Sequence, residues 1–290
     1  MDICELFREK KFIYTAEIFP PKGTNTEKML RKVEIIRRYV DAVNVTDNQR
    51  ACMRLGSLAI SRLLLDNGVT PIYQLTCRDR NRIALQSDLL SAYVLGIRNI
   101  LILGGDHPQM GDHPEAKPVF DLDTVGLLQV ASTLSSGRDM TGHKLDGSPS
   151  FCLGAAVNPT LSPLELQIMS MEKKIEAGAR FFQTQVIFDV QQFAKFLDEV
   201  EKAGLRKKAL ILPGVFFIKS LKMLDTLKSV PGVVIPENFE QKLREAPDLE
   251  KESVNQSAIL VKQLRTMADG VHIMAINAEE HIPEIILKSL

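Results

Sequence analysis

The sequence predicts an α/β protein: a single (β/α)8 barrel of the TIM type, with an extra helical insertion ahead of the last strand. Three observations predict it. Short apolar runs rich in β-branched or aromatic residues recur from one end of the chain to the other. Longer segments with apolar residues at helical spacing separate them, as strands buried under helices require. The length, 290 residues, is ordinary for one such barrel, which typically needs about 250. An open doubly wound sheet would show much of the same periodicity, but eight alternations favour closure.

In chain order, the predicted strands are FIYTAEIF (12–19), AVNVT (42–46), TPIYQLT (70–76), IRNILIL (97–103), FCLGAAV (151–157), FFQTQVI (181–187), ALILPGV (209–215) and GVHIMAI (270–276). Each has the length and composition of a strand buried on both faces. The intervening segments 26–39, 54–67 and 81–95 carry apolar residues at helical spacing with charges between. Gly68, Gly178, Gly204 and Gly270 stand where helix C-termini are expected, just before the next strand. Two segments interrupt the rhythm. GDHPQMGDHPEAK (105–117) is a Pro/Gly/His-rich loop after the fourth strand, and 228–269 is an insertion with helices expected over 237–245 and 254–267. Neither reads as an interdomain linker, so residues 1–290 are expected to form one domain.

Lys plus Arg equals Asp plus Glu at 36 each, a balance that disfavours a nucleic-acid binder, which needs a basic excess. The four cysteines form no CxxC pair, and the five histidines no ligand-spaced cluster, so no metal site is expected. The N-terminal stretch has no apolar signal-peptide core, and no apolar run approaches the roughly 20 residues of a membrane span. A reducing cytoplasm is the expected setting.

Barrel enzymes place their chemistry at the C-terminal ends of the strands. Glu17 lies near the end of the first strand, inside an apolar run. Burial disfavours the charged form of a carboxyl, which suits a general acid working near neutral pH, although a salt-bridged core glutamate has the same pattern. Asp106 follows Gly104 and Gly105 at the mouth of the fourth strand, where glycines let a ligand approach the backbone and where a turn or cap aspartate is equally expected. Gln183 and Gln185 share side-chain parity on the sixth strand, so one of them is open to a structural role. Thr46 and Asn48 close the second strand, Gln74 the third and Asn158 the fifth. Lys174, on a helix, reads by charge pattern as a surface residue. There is no GxGxxG, P-loop or GxSxG signature.

Read together, AEIFPPKG, IYQLTCRDRNR, GIRNILILGGDHP, EKKIEAGARFFQTQVIFD, LPGVF and MAINAEE resemble, in order and over nearly the whole chain, the methylenetetrahydrofolate reductase family. The resemblance implies a barrel that binds a flavin, usually FAD with FMN as the alternative. It also implies reduction of 5,10-methylenetetrahydrofolate to 5-methyltetrahydrofolate. In that reading Glu17 is the general acid, Asp106 the acid beside flavin and pterin, and Gln185, with Gln183 beside it, the substrate contact. Thr46, Asn48, Gln74, Gly104, Gly105, Asn158 and Lys174 fall among the flavin contacts.

The departures cluster. Gly104 stands in place of an arginine, Gln74 of a histidine, and Asn158 and Ser162 of a tyrosine and a histidine. Met223 and Leu227 replace a glutamine and a phenylalanine of NADH-using relatives, and Ala278 replaces the arginine that meets the folate's glutamate tail. These losses fall on nicotinamide and folate-tail contacts. The expectation is therefore folate chemistry retained, with NAD(P)H or an electron-transfer partner subunit as donor and an oligomer or hetero-complex as the assembly. A flavin-free pterin-binding, methyltransferase-like barrel and a subunit active only within a complex are the alternatives.

Overall fold

The computed structural model describes residues 2–290. Eight parallel strands close into a barrel in sequence order: β1 Ile13–Ile18, β2 Ala42–Val45, β3 Pro71–Thr76, β4 Asn99–Leu103, β5 Cys152–Val157, β6 Phe181–Val186, β7 Leu210–Phe216 and β8 Gly270–Met274. The helices are α1 Ile3–Lys10, α2 Glu27–Ile36, α3 Ser57–Asp66, α4 Arg82–Val94, α5 Thr124–Ser135, α6 Leu164–Glu176, α7 Val190–Lys202, α8 Leu221–Lys228, α9 Glu237–Glu245, α10 Leu249–Leu264 and α11 Ile282–Ser289. All eight predicted runs are strands, and β8 pairs with β1 to close the sheet. In the insertion, α9 has the expected bounds. The following helix starts earlier than expected, because the Asp248 side chain accepts the Lys251 N–H and caps it there. Gly68, Gly178 and Gly204 take positive φ beyond their helices, whereas Gly270 is the first residue of β8. Among the described residues, no helix is long and apolar enough to cross a membrane.

Alternation along the strands sorts the core into two regions. Outward residues such as Ala16, Val43, Leu75 and Ile100 pack against the apolar stripes of the helices, for example Met29, Val33 and Ile36 of α2. Inward residues build layers. The lowest is apolar, made of Ile13, Ala42, Ile72, Leu101, Phe181 and Leu212, and α1 plugs it from below with the fully buried Ile3. The Ile3 N–H donates to Asn99 Oδ1 at 2.8 Å, and an Asp2–Glu5 capping box starts the helix. Above this floor the inward residues turn polar: Thr15, Asn44, Gln74, Gln183 and His272. An apolar base under a polar layer leaves one end of the barrel able to do chemistry.

The Phe181 ring fills the interior so closely that a Cβ on Gly154 would lie 2.2 Å from it. Gly154→Ala is therefore expected to cost about 1–3 kcal/mol in urea unfolding, through overpacking. A variant within about 0.5 kcal/mol of the wild type would mean that the ring moves aside freely.

The cysteines, far apart in sequence, do not all stay apart: Cys4 on α1 and Cys152 at the start of β5 meet with their sulfurs 2.8 Å apart.

Candidate active site at the barrel mouth

A pocket of about 370 Å³ opens at the C-terminal end of the barrel, lined by Glu17, Gln74, Asn158, Gln167, Gln183, Gln185, His272 and Met274 among others. Glu17 is the carboxylate at its base. Its side chain is 10 % exposed, and register places it opposite Asn44 on β2. Gln74 Nε2 donates to Glu17 Oε2 at 3.3 Å, and His272 Nε2 lies 3.7 Å from the same oxygen.

His272 is held from behind. Its Nδ1 is 3.0 Å from Thr15 Oγ1, and the Thr15 hydroxyl donates to the Val271 carbonyl at 3.2 Å. With that hydrogen committed, Thr15 accepts from His272 Nδ1–H. A neutral ring then turns the lone pair of Nε2 towards Glu17, a tautomer assigned from the network. The Nε2 edge of His272 thus faces the Glu17 carboxyl at 3.7 Å, beyond direct hydrogen-bond distance. Sequence reading missed His272 because it was weighed only as a metal ligand. The available signal was parity: Thr15 and Glu17 point inward on β1, and His272 pairs with Thr15 across the β1–β8 seam.

The two glutamines of β6 divide their roles. Gln183 is buried and exchanges bonds with Asn44, Oε1 accepting at 2.5 Å and Nε2 donating at 3.1 Å, which ties β6 to β2 across the interior. Gln185, half-buried and one layer higher, accepts the Val186 N–H at 3.0 Å. That bond leaves its amino group without a protein acceptor among the described residues.

A second group lies around the ends of β2 and β4, outside the lining of that pocket. Gly104, Gly105 and Asp106 are exposed. Gly105 adopts φ +87°, and a Cβ there would meet Arg78 and Thr76 at 3.1 Å. The Thr46 hydroxyl is buried without a partner among the described residues. Asn48 sits at φ 47°, accepts the Arg54 N–H at 2.9 Å and contacts Asp79 at 3.5 Å. Lys174 is not the surface residue its charge pattern suggests. It is half-buried, reaches from α6 to donate to the Ala156 carbonyl at 2.8 Å, and burial holds its ammonium below the usual lysine range against the opposing charge of Asp123. Asn158, itself in the pocket lining, accepts the Thr160 N–H at 3.2 Å, while the Thr160 hydroxyl donates to the Gly232 carbonyl, so the segment between α8 and α9 reaches across to the loop after β5.

Beneath this second group runs an ionic network that the sequence reading did not single out. Arg78, 2 % exposed, forks onto Asp79 with two 2.8 Å bonds and donates to the carbonyls of Asp106 at 3.3 Å and Asp47 at 3.4 Å. Asp47 accepts from Thr76 N–H and hydroxyl at 3.0 and 2.8 Å, and from Arg80 at 2.8 and 3.2 Å. The mouth loops after β2, β3 and β4 are therefore fastened to one another by buried charge.

Residues 2–290 match the family described as methylenetetrahydrofolate reductase. The chain belongs to the methylenetetrahydrofolate reductase family. Within it, the 5,10-methylenetetrahydrofolate reductase of Buchnera aphidicola subsp. Schizaphis graminum is 26% identical over 278 residues, covering 93% of this chain and 89% of that one. Methylenetetrahydrofolate reductase 1 of Schizosaccharomyces pombe is 27% identical over 96% of this chain, which spans only 46% of the yeast protein. Among solved structures, a Clostridium thermocellum protein described as binding two copies of 5-methyl-5,6,7,8-tetrahydrofolic acid superposes with a TM-score of 0.69 at 17% identity, covering 99% of both chains. That likeness shows the shared barrel.

Proposed function

We propose that this member of the methylenetetrahydrofolate reductase family carries out flavin-dependent reduction of 5,10-methylenetetrahydrofolate to 5-methyltetrahydrofolate, with Glu17 as general acid. The observation that carries the reading is the near-buried Glu17 carboxyl at the base of the mouth pocket, backed by Gln74 and by the His272–Thr15 pair. Glu17 gives its proton to the folate nitrogen whose bond to the bridging methylene must open, with the His272 ring, held by Thr15, fixed beside its carboxyl. Gln185 offers its unused amide to the pterin edge, while Gln183 acts by holding Asn44 and the barrel wall in place.

The residues around β2 and β4 fit a flavin: the orphaned Thr46 hydroxyl needs an acceptor or donor, and exposed Gly104 carries no side chain, a Cβ there meeting only Thr124 Oγ1 at 3.9 Å. Thr46, Asn48, Gln74, Gly104, Gly105, Asn158 and Lys174 would hold FAD or FMN, with Asp106 beside both flavin and substrate. When bound, the flavin supplies the hydride. Asp106, exposed and anionic at the mouth, favours the cationic form of the substrate.

Two departures from relatives bear on donor and substrate tail. Met223 and Leu227 pack into an apolar cluster with Phe188, Phe216 and Phe239, and so offer no polar contact to a nicotinamide. The electron donor is accordingly a partner protein. Beside Ala278, a cavity of about 790 Å³ is lined by Lys28, Arg50 and Arg54, none of them in a salt bridge among the described residues, and these take the role of the missing arginine towards the tail carboxylates.

The test is the visible spectrum of the purified protein, followed by anaerobic methyltetrahydrofolate. Flavin absorbance that bleaches with the folate, together with NADH oxidation at least about tenfold slower than folate turnover, is the expected result. Bleaching by NADH at the folate rate would remove the partner-protein donor. A protein that stays colourless after reconstitution with FAD or FMN but still binds folate would establish the flavin-free barrel instead.

A further inference from the structure

The thiols of Cys4 and Cys152 take no part in the chemistry at the mouth; they lie at the opposite end of the barrel. Their sulfurs are 2.8 Å apart, closer than two sulfurs in ordinary contact. Both ends of the contact are well fixed. Cys4 sits in the first turn of α1, next to the fully buried Ile3 and its bond to Asn99, and Cys152 opens β5 within the apolar floor. We propose that Cys4 and Cys152 form a reversible dithiol site on the barrel floor, which takes low-molecular-weight disulfides and is converted by them to an intramolecular disulfide.

Access sets the order of events. Cys4 is half-buried and Cys152 is 3% exposed, so an incoming disulfide meets Cys4 first. The hydrogen bond from the Cys152 thiol holds the Cys4 thiol below its ordinary range despite burial, with Arg8 and Arg180 adding to it, while Cys152 is pushed up. Cys4, the more exposed of the two, is thus the attacking sulfur of the pair. Its sulfur attacks RSSR, the S–S bond breaks, and one RS⁻ leaves and takes up a proton. The Cys152 thiol then loses its proton to solvent and attacks Cys4 Sγ, displacing the second RS⁻. Two protein thiols and one RSSR become one protein disulfide and two RSH. The new bond joins positions 148 residues apart and fastens α1 to β5.

The protein, with and without prior chelation of metal, is incubated with oxidised glutathione, mapped by peptide mass spectrometry without reduction, and heated with and without dithiothreitol. The expected map shows one linkage, Cys4 to Cys152, reversed by dithiothreitol and raising Tm by about 5 °C or more, because the unfolded chain is constrained across a long loop. Cys152→Ser should instead trap glutathione on Cys4, and Cys4→Ser should leave position 152 unmodified. Glutathione persisting on Cys4 of the wild type, or modification confined to Cys52 or Cys77, overturns the proposal. So does a pair that reacts only after chelation, since Asp2, Cys4 and Cys152 would then be holding a metal ion.

Discussion

Glu17→Gln is expected to lower the rate of methylene reduction by about 100- to 10,000-fold, the range over which a positioned general acid acts. The substitution keeps the shape of the side chain and its contact with Gln74 while removing the transferable proton. Its effect should therefore be confined to the half-reaction with folate. Flavin content, flavin reduction by a strong chemical donor, and Tm should all stay close to wild type. His272→Leu should cost about tenfold or more, because Glu17 then loses the polar ring that Thr15 holds beside its carboxyl. Anaerobic rapid mixing of reduced protein with the methylene substrate measures both. A Glu17→Gln protein within tenfold of wild type in that step would assign the proton to another group.

The barrel was legible because its signal is redundant: eight buried strands, each read from a short apolar run, constrain one another once alternation with helices is seen. Glu17 was legible for a related reason, since a carboxylate inside FIYTAEIF breaks an apolar run and burying it is costly. His272 breaks GVHIMAI in the same way, yet its meaning lies in the β1–β8 seam, which brings together residues 257 positions apart. Lys174 illustrates the opposite limit. Within MEKKIEAGA it looks like any exposed helix lysine, and only the seating of α6 on β5 turns its ammonium inward to the Ala156 carbonyl. Gln183 and Gln185 could not be separated by parity alone, because the decision rests on Asn44, a residue of another strand. The Cys4–Cys152 contact was invisible for the same reason: closure of the barrel floor, rather than spacing, creates it.

Arg78→Met is expected to lower stability by about 2–4 kcal/mol and to weaken flavin affinity at least about tenfold. The first effect follows from burial. The variant leaves the Asp47 and Asp106 carbonyls short of a donor, while Asp79, being 36% exposed, recovers part of its solvation and moderates the loss. The second follows from geometry, because the Gly104–Asp106 segment rests on Arg78: Gly105 approaches its Cβ and the Asp106 carbonyl accepts its guanidinium. Arg78→Lys should not rescue flavin affinity, since an ammonium cannot fork onto Asp79 and reach two carbonyls at once. The pH dependence has a definite sign. Burial works to raise the Asp79 carboxyl, but the Arg78 hydrogen bond and charge outweigh it and hold the group below the usual aspartate range. A depressed carboxyl contributes stability above its unfolded pKa, near 3.9, and that contribution is lost as pH falls through the lower folded value. Wild-type stability should thus fall more steeply than that of Arg78→Met below about pH 4, so the two converge in acid. Urea midpoints across pH and flavin titrations of the three proteins test the argument. Arg78→Lys binding flavin as tightly as wild type would show that the mouth loop holds its place without the fork, and that the network serves stability alone.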